Sequence, residues 1–197
     1  MNVIEFLQQR QSTPMLTGPA PSVDDLNKIL AAGMRAPDHG GIKPWHFTVI
    51  TGTGLQRLSD IYVEAISNEA LSTGELSSTG DCTVEFEAKR TKTSKMPFRA
   101  PLIIVVSTVK KDHDKVPVIE QQIAAGCCTH AMQMAAASLG YGAMWRTGAL
   151  AYNETVKQGL DINLKDDTIG SLYIGTPCKK QGVKPAKALD GHVTFWT

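Results

Sequence analysis

The sequence is short of the features that mark membrane, secreted or nucleic-acid-binding proteins. None of its apolar runs is long enough to span a bilayer, and the N-terminus, MNVIEFLQQRQS, lacks the hydrophobic stretch of a signal peptide. The 20 lysines and arginines nearly balance the 19 acidic residues, which argues against a general affinity for nucleic acid or anionic lipid. We therefore expect a cytoplasmic protein.

Cysteine is scarce as well, and the common catalytic motifs are missing. Cys82, Cys127, Cys128 and Cys178 form no CxxC pattern, which argues against a disulfide framework or a zinc site and favours a reducing environment. No metal-ligand spacing is present, so no metal is expected. The sequence also has no GxSxG, Walker or GxGxxG motif, so the usual signals of a serine hydrolase, a nucleotide hydrolase and a Rossmann enzyme are absent.

What is present is the patterning of one α+β domain, which we take as residues 1–197. Apolar spacing predicts an N-terminal helix, a helix that follows Ser22 and ends at Pro37, a helix over LQRLSDIYVEAISNEAL, and an almost wholly apolar central helix from Ile119 to Leu139. Apolar runs predict strands over WHFTVIT, PLIIVVSTV and TIGSLYIGTP, and GAMWRTGAL predicts a short strand or turn. Too few strands alternate with helices for a doubly wound sheet, so α+β is favoured.

One segment departs from this pattern. Residues Ser72 to Met96 are polar, with Ser-Thr-Gly and Lys-Thr clusters, and show no firm apolar period. We expect a mobile lid or insertion at the surface, partly helical around Val84 to Arg90.

Three short polar segments lie at the ends of predicted helices or strands: Arg10-Gln11-Ser12, Arg35 to His39, and Trp145 to Gly148. Arginine binds phosphate with two parallel hydrogen bonds, hydroxyls add donors, and tryptophan can cover an aromatic face. The set suits an anionic, planar ligand. Taken singly, Arg10 and Arg146 would more often make surface ion pairs, whereas the three segments together favour a ligand, so composition leaves both interpretations open.

Longer stretches carry a resemblance. FLQQRQS, ILAAGMRAPDHGGIKPWHFTVI, PFRAPLIIVV, AGCCTHAMQMAAASLGYGAMWRTG and GSLYIGTP follow one another in this order. In this set the chain resembles, nearly end to end, the flavin-dependent nitroreductase family and most closely its small, minimal branch. The segment from Ser72 to Met96 is longer than the branch leads us to expect, and family members often place a variable lid there.

The resemblance implies a fold, a cofactor and a set of site residues. The fold would be nitroreductase-like, with a central mixed or antiparallel sheet flanked by helices, in an intertwined homodimer that shares FMN between its chains. The expected FMN contacts are Arg10, Gln11 and Ser12 at the phosphate and ribityl end, Arg35 and His39 toward the flavin bound mainly by the other chain, and Trp145, Arg146 and Thr147. Gln11 stands where the pattern has arginine. The expected nicotinamide segment is Ala135, Ala136, Ala137, Ser138, Leu139 and Gly140.

The activity implied by the resemblance is oxidoreduction. NAD(P)H would pass a hydride to flavin N5 and leave, and a nitroaromatic, quinone or similar acceptor would then take the electrons. Positive charge near the flavin N1–C2=O edge would stabilise the reduced form, with Arg10, Arg35 and Arg146 as candidates. No side chain is obliged to act as acid or base, so no catalytic residue is assigned. Two alternatives stay open: another flavin reaction on this fold (flavin fragmentation, dehalogenation or ene reduction), and a flavin-binding sensor or store without turnover.

Overall fold

The structure, a computed structural model, describes residues 2–76, 83–185 and 187–197. Cys82 and the middle of the expected lid, residues 77–82, lie outside the described residues. The described strands are β1 (Leu16–Thr17), β2 (Trp45–Thr51), β3 (Leu102–Thr108), β4 (Gly142–Arg146) and β5 (Thr168–Pro177). The described α-helices are α1 (Val3–Gln9), α2 (Val23–Gly33), α3 (Thr53–Thr73), α4 (Val84–Ser94), α5 (Val118–Ser138), α6 (Ala149–Tyr152) and α7 (Glu154–Gly159).

The described strands form one sheet around β5. On one side β5 pairs with β3, and β3 pairs in turn with β2. On its other side β5 pairs with β4 and, near its C-terminal end, with β1. All of these pairings are antiparallel, so the α+β class is confirmed and the sheet of the described residues is antiparallel rather than mixed.

Helices cover both faces of this sheet. In β3, Ile103 and Val105 point into a core that contains residues of α3 and α7, while Leu102, Ile104 and Val106 point into a second core with α2 and α5. A strand covered on both faces is expected to be continuously apolar, and every residue of β3 is buried.

Helices α2 and α5 agree closely with expectation. The Ser22 hydroxyl accepts a hydrogen bond from the backbone N–H of Asp25, which caps α2 as predicted. Gly33 lets the two helices approach, because a Cβ on it would stand only 2.8 Å from Cγ of Met132 on α5. The expected apolar character of α5 places Met132 in the core, but it also leaves Ile119 and Ile123 exposed on the opposite face of the single chain.

The C-terminal part of the expected lid contains a longer helix than the sequence indicated. Helix α4 extends to Ser94, past the predicted end at Arg90, and buries Phe86 against Ile66 and Ala70 of α3. The sequence pattern did not predict this contact, because Phe86 is a single aromatic residue within a polar segment. Whether the segment moves is not tested by these contacts, and its mobility stays a prediction.

Several apolar side chains remain uncovered in the single chain. Helix α1 buries no residue, and Val3, Ile4 and Leu7 are exposed. The C-terminal tail after β5 ends with Phe195 and Trp196, which are 82% and 96% exposed. None of the helices within the described residues has the length and apolar content that a membrane span needs.

Candidate functional site

The first candidate site, here called the N-terminal cavity, lies where α1 ends beside the C-terminal turn of α5. It has a volume of about 310 Å³. Its lining includes the predicted residues Arg10 and Gln11, and also Tyr141, Lys179 and Lys180. Gly142 and Ala143, the first two residues of β4, also line it.

Hydrogen bonds to distant parts of the chain hold the segment after α1 in place. The backbone N–H of Thr13 donates to the carbonyl of Ala143 at 2.9 Å. The Gln11 amide donates to the carbonyl of Gly182 at 2.8 Å, and the Gln181 amide donates to the carbonyl of Ser12 at 3.2 Å. The start of the chain is therefore fixed between β4 and the residues that follow β5.

The N-terminal cavity is positively charged. Arg10, Lys179 and Lys180 line it, and none of its lining residues is acidic. Within the described residues, none of these three cations forms an ion pair with a carboxylate. Three unpaired cations around a cavity of this size are suited to a phosphate group.

The two lysines are site residues that the sequence did not reveal. Their one visible feature is that they lie just after the strand that ends at Pro177, separated from it by Cys178. The register of β1 on β5, with Leu16 opposite Pro177, places Lys179 and Lys180 beside the segment that carries Arg10. That register depends on tertiary structure, and the sequence pattern does not contain it.

The expected nicotinamide segment, Ala135 to Gly140, is the C-terminal end of α5 and the turn after it. Ala137 lines the N-terminal cavity, and Ala136 is fully buried in the core. The Ser138 hydroxyl donates to the carbonyl of Ala135 at 2.8 Å, and Gly140 turns the chain with a φ of +88°. This segment therefore borders the cationic cavity at one residue.

The loop that carries Arg35 and His39 lies apart from this cavity. Arg35 is exposed, and His39 meets Glu120 at the start of α5 with 2.5 Å between Nδ1 and Oε2. Asp38 anchors the loop by accepting a hydrogen bond from the backbone N–H of Lys43 at 2.6 Å. Neither Arg35 nor His39 is among the residues that line the N-terminal cavity or the cavity described next.

A second cavity, here called the tyrosine–arginine cavity, contains the third predicted segment. Its volume is about 350 Å³, and Trp145, Arg146 and Thr147 line it. It opens on the α3 side of the sheet. The other lining residues are Tyr62, Met96, Arg99, Met144, Leu150, Ala151, Ser171 and Tyr173.

Burial is the largest influence on the pKa values of the arginine and the two tyrosines of this cavity. The guanidinium carbon of Arg146 lies 5.2 Å from the centre of the Tyr173 ring, a cation–π distance. Burial, and after it the positive charge of Arg99, lowers the pKa of Arg146 below its ordinary value. The Nε atom of Arg146 is buried and has no hydrogen-bond partner. Burial also raises the pKa of both Tyr62 and Tyr173, so both phenols are neutral at physiological pH.

The two cavities lie at the two ends of one strand. Gly142 and Ala143 of β4 line the N-terminal cavity, while Trp145 and Arg146 line the tyrosine–arginine cavity. Successive side chains of a strand point to opposite faces, and the Trp145 ring packs in the core with α2 and α5, whereas Arg146 packs on Tyr173. The span from Gly142 to Arg146 is roughly 13 Å at the rise of a β-strand. The structure thus joins the first and third predicted segments along β4, but it does not join the second to them within one chain.

No metal site accompanies these cavities. Across residues 2–76, 83–185 and 187–197, no cluster of three or more His, Cys, Asp or Glu side chains could hold a metal ion.

Comparisons with known proteins agree on the family and on the fold. A model described as the nitroreductase family matches residues 7–176. The chain is 41% identical over 177 residues to "Putative NAD(P)H nitroreductase YdjA" of Escherichia coli strain K12, covering 90% of this chain and 89% of that protein.

Two solved structures illustrate the likeness of fold. A nitroreductase-like family protein from Bacillus cereus superposes with a TM-score of 0.80 at 23% identity, covering 100% of this chain and 96% of the other. A nitroreductase with bound FMN from Bacteroides fragilis has a TM-score of 0.70 at 20% identity and full coverage of both chains.

Proposed function

The chain belongs to the nitroreductase family, and from this premise we propose that it is an FMN-dependent NAD(P)H oxidoreductase that reduces a nitroaromatic, quinone or similar acceptor. The observation that carries the proposal is the position of Arg10, Lys179 and Lys180 around one cavity at the end of β4. The name of the 41% identical relative and the FMN bound in the fold relative from Bacteroides fragilis support it.

The residues present fit FMN. In the proposal Arg10, Lys179 and Lys180 would hold the phosphate, Gln11 and Ser12 would contact the ribityl chain, and Trp145, Arg146 and Thr147 would contact the flavin ring. When bound, FMN supplies hydride acceptance and donation at N5. The protein residues orient it, and a guanidinium near its N1–C2=O edge stabilises negative charge.

Arg35 and His39 enter the proposal through a second copy of the chain. Because they line neither cavity in the single chain, we assign them to the flavin bound mainly by the partner. The exposed apolar residues of α1 and α5 and the exposed Phe195 and Trp196 support a large dimer interface. Strand β2 also leaves one edge unpaired by the described residues, and an extended tail could cover it.

The remaining assignments are also proposals. Ala135 to Gly140 is the nicotinamide segment, supported by the position of Ala137 at the N-terminal cavity. Ser72 to Met96 is a mobile lid within the single domain, supported by Met96 in the wall of the tyrosine–arginine cavity. The compartment is the cytoplasm, in keeping with free thiols at the described cysteines Cys127, Cys128 and Cys178.

The first experiment is a visible absorption spectrum of the purified protein, followed by NAD(P)H oxidation with a neutral nitroaromatic or quinone. We expect bound flavin and acceptor-dependent NAD(P)H oxidation. A protein that stays colourless and takes up no FMN would overturn the proposal. A protein that binds FMN but oxidises no NAD(P)H would instead be a flavin-binding module.

The shared site has its own test. Arg10→Ala and Arg35→Ala homodimers each carry two damaged sites, whereas a mixed dimer has one intact site. We expect recovered FMN binding after subunit exchange, at up to half the wild-type number of sites. If the mixture binds no better than its parents once exchange is verified, the two arginines do not serve one shared site.

A further inference from the structure

The tyrosine–arginine cavity contains two cations and no acidic side chain. Arg99 and Arg146 both line it, and within the described residues neither forms an ion pair with a carboxylate. Two guanidinium groups that face one cavity repel each other, and this repulsion is weakly screened where water is partly excluded. A small anion placed between them would relieve it.

A second observation points to a missing partner. The Nε of Arg146 is buried and makes no hydrogen bond, although a buried donor normally has an acceptor. The guanidinium carbon of Arg146 lies 5.2 Å from the centre of the Tyr173 ring. The guanidinium therefore packs on an aromatic ring and keeps unused donor capacity, as expected for a group that binds a ligand.

The residues that line the cavity indicate what the rest of that ligand is. Met96, Met144, Leu150 and Ala151 supply apolar surface, and Tyr62 and Tyr173 supply aromatic surface. A volume of about 350 Å³ is at the small end of ligand pockets, which suits one substituted aromatic ring better than a dinucleotide.

A neighbouring cavity that adjoins this one carries a net positive charge. It shares Met96, Thr147 and Leu150 with it, and its charged lining residues are Lys89 and Lys92 of α4 and Glu69 of α3. Lys89 lies 3.9 Å from Glu69, a distance at which an exposed pair is weak. Positive charge along an entry path raises the local concentration of anions and their association rate.

We propose that the acceptor of this protein is an aromatic compound that bears a carboxylate, and that Arg99 and Arg146 clamp the carboxylate in the tyrosine–arginine cavity. This inference rests on the proposed function, because Trp145 to Thr147 are also the expected flavin wall and would bring the ring of the acceptor beside the flavin. The reduction is that of the proposed function: a nitro group becomes a nitroso group, NAD(P)H and a proton are consumed, and water is released.

The kinetic test compares two acceptors of the same shape, para-nitrobenzoate and para-nitrobenzamide. For the wild type we expect a higher kcat/KM for the carboxylate. In Arg99→Gln this preference should fall about tenfold to a hundredfold, the range for a charge-assisted hydrogen bond. Lys95→Gln removes the same charge from an exposed residue near Arg99 and should leave the preference unchanged.

A binding test separates the clamp from turnover. Benzoate, which cannot be reduced, should bind the FMN-loaded protein, benzamide should bind more weakly, and Arg99→Gln should lose the difference. Arg99→Lys, which keeps the charge, should retain part of it, and thermal unfolding of both variants shows whether they are folded. Titration calorimetry measures the affinities.

Three results would overturn the inference. The wild type could use both acceptors equally well, Arg99→Gln could raise the KM for NAD(P)H while leaving the acceptor preference intact, or saturating FMN could displace benzoate. The second result would assign the clamp to a donor phosphate and the third would assign it to the flavin. Failure of the proposed function looks different, because the protein would then bind no FMN or oxidise no NAD(P)H with any neutral acceptor.

Discussion

The two cavities at the ends of β4 are both cationic, but they are built from different parts of the chain. The N-terminal cavity takes its charges from Arg10 and from exposed lysines after β5. The tyrosine–arginine cavity takes its charges from Arg99 and from a half-buried Arg146 that packs on Tyr173. Exposed charges act mainly through Coulomb attraction that salt weakens, whereas buried ones act through geometry and unmet hydrogen bonds. The first cavity therefore suits a hydrated phosphate, and the second suits selection among acceptors.

The largest expected effects come from two glycines, Gly170, which contacts Trp145 and Arg146, and Gly142, which lines the N-terminal cavity. A Cβ on Gly170, where φ is +143°, would stand 2.8 Å from the backbone carbonyl of Arg146 and 2.4 Å from the Trp145 indole. Gly170→Ala should destabilise the protein by about 3 kcal/mol or more, from backbone strain and overpacking together. The measurement is denaturant unfolding with FMN absent.

Gly142→Ala is the matched change at the other cavity. Its Cβ would meet the side chains of Leu16 and Thr13, which can shift more easily than a backbone carbonyl. We expect a smaller loss, about 1–3 kcal/mol. If Gly142→Ala proved the more damaging variant, the side chains of Leu16 and Thr13 would be unable to shift as this comparison requires.

Next in size is the contribution of Arg10 to FMN affinity. Arg10→Ala should weaken binding by about 1.5–3 kcal/mol, because a guanidinium–phosphate hydrogen bond is charge-assisted. Gln11→Ala should lose about 1 kcal/mol or less, since the Gln11 amide already donates to Gly182. Fluorimetric titration with FMN measures both. Equal affinities of the two variants would make Arg10 an ordinary surface cation.

A smaller effect should appear at high pH. Burial raises the pKa of Tyr62 and Tyr173 above the ordinary tyrosine value of 10.0, so the folded protein keeps protons that the unfolded chain releases. Their contribution to stability is complete below the unfolded pKa and is lost as pH rises above it. Tyr173→Phe should flatten the alkaline fall of Tm, and Tyr152→Phe, at an exposed position, should not. An unchanged slope in Tyr173→Phe would contradict the burial of that phenol.

The smallest effect concerns the expected lid, whose last residue, Met96, lines the tyrosine–arginine cavity. If Ser72 to Met96 is mobile, limited proteolysis should cut there before it cuts α5, and a bound benzoate should slow the cut. FMN alone should protect this segment less than it protects the residues around Lys179. Resistance of the segment equal to that of α5 would remove the idea of a lid.

Local pattern accounts for much of the fold but only part of the site. The Ser22 cap, the buried face of α3 and the apolar run of β3 follow from spacing and propensity, and the structure confirms them. Arg10 and Arg146 stood out as cations at element ends. Arg99 was not predicted as a site residue, because its proximity to Arg146 depends on how the turn after α4 packs beside β4.

The same limit explains the remaining differences. The burial of Phe86 under α3 came from one contact inside a polar stretch, which periodicity does not register. Arg35 and His39 were named from a resemblance, and no geometry in the single chain unites them with either cavity. The apolar periodicity of a sequence reports contacts within one chain, so it does not predict residues that contact a ligand held by a partner chain.

Strand β5 makes the hydrogen bonds that hold β1, β3 and β4 in one sheet, and it is the last of the strands within the described residues. Until Thr168 to Pro177 have been synthesised, β4 lacks its partner within the described fold, and the edge of β3 that β5 will cover is open. Completion of this sheet on the ribosome must therefore wait until β5 has been made, and the large sequence separation of these contacts predicts slow folding.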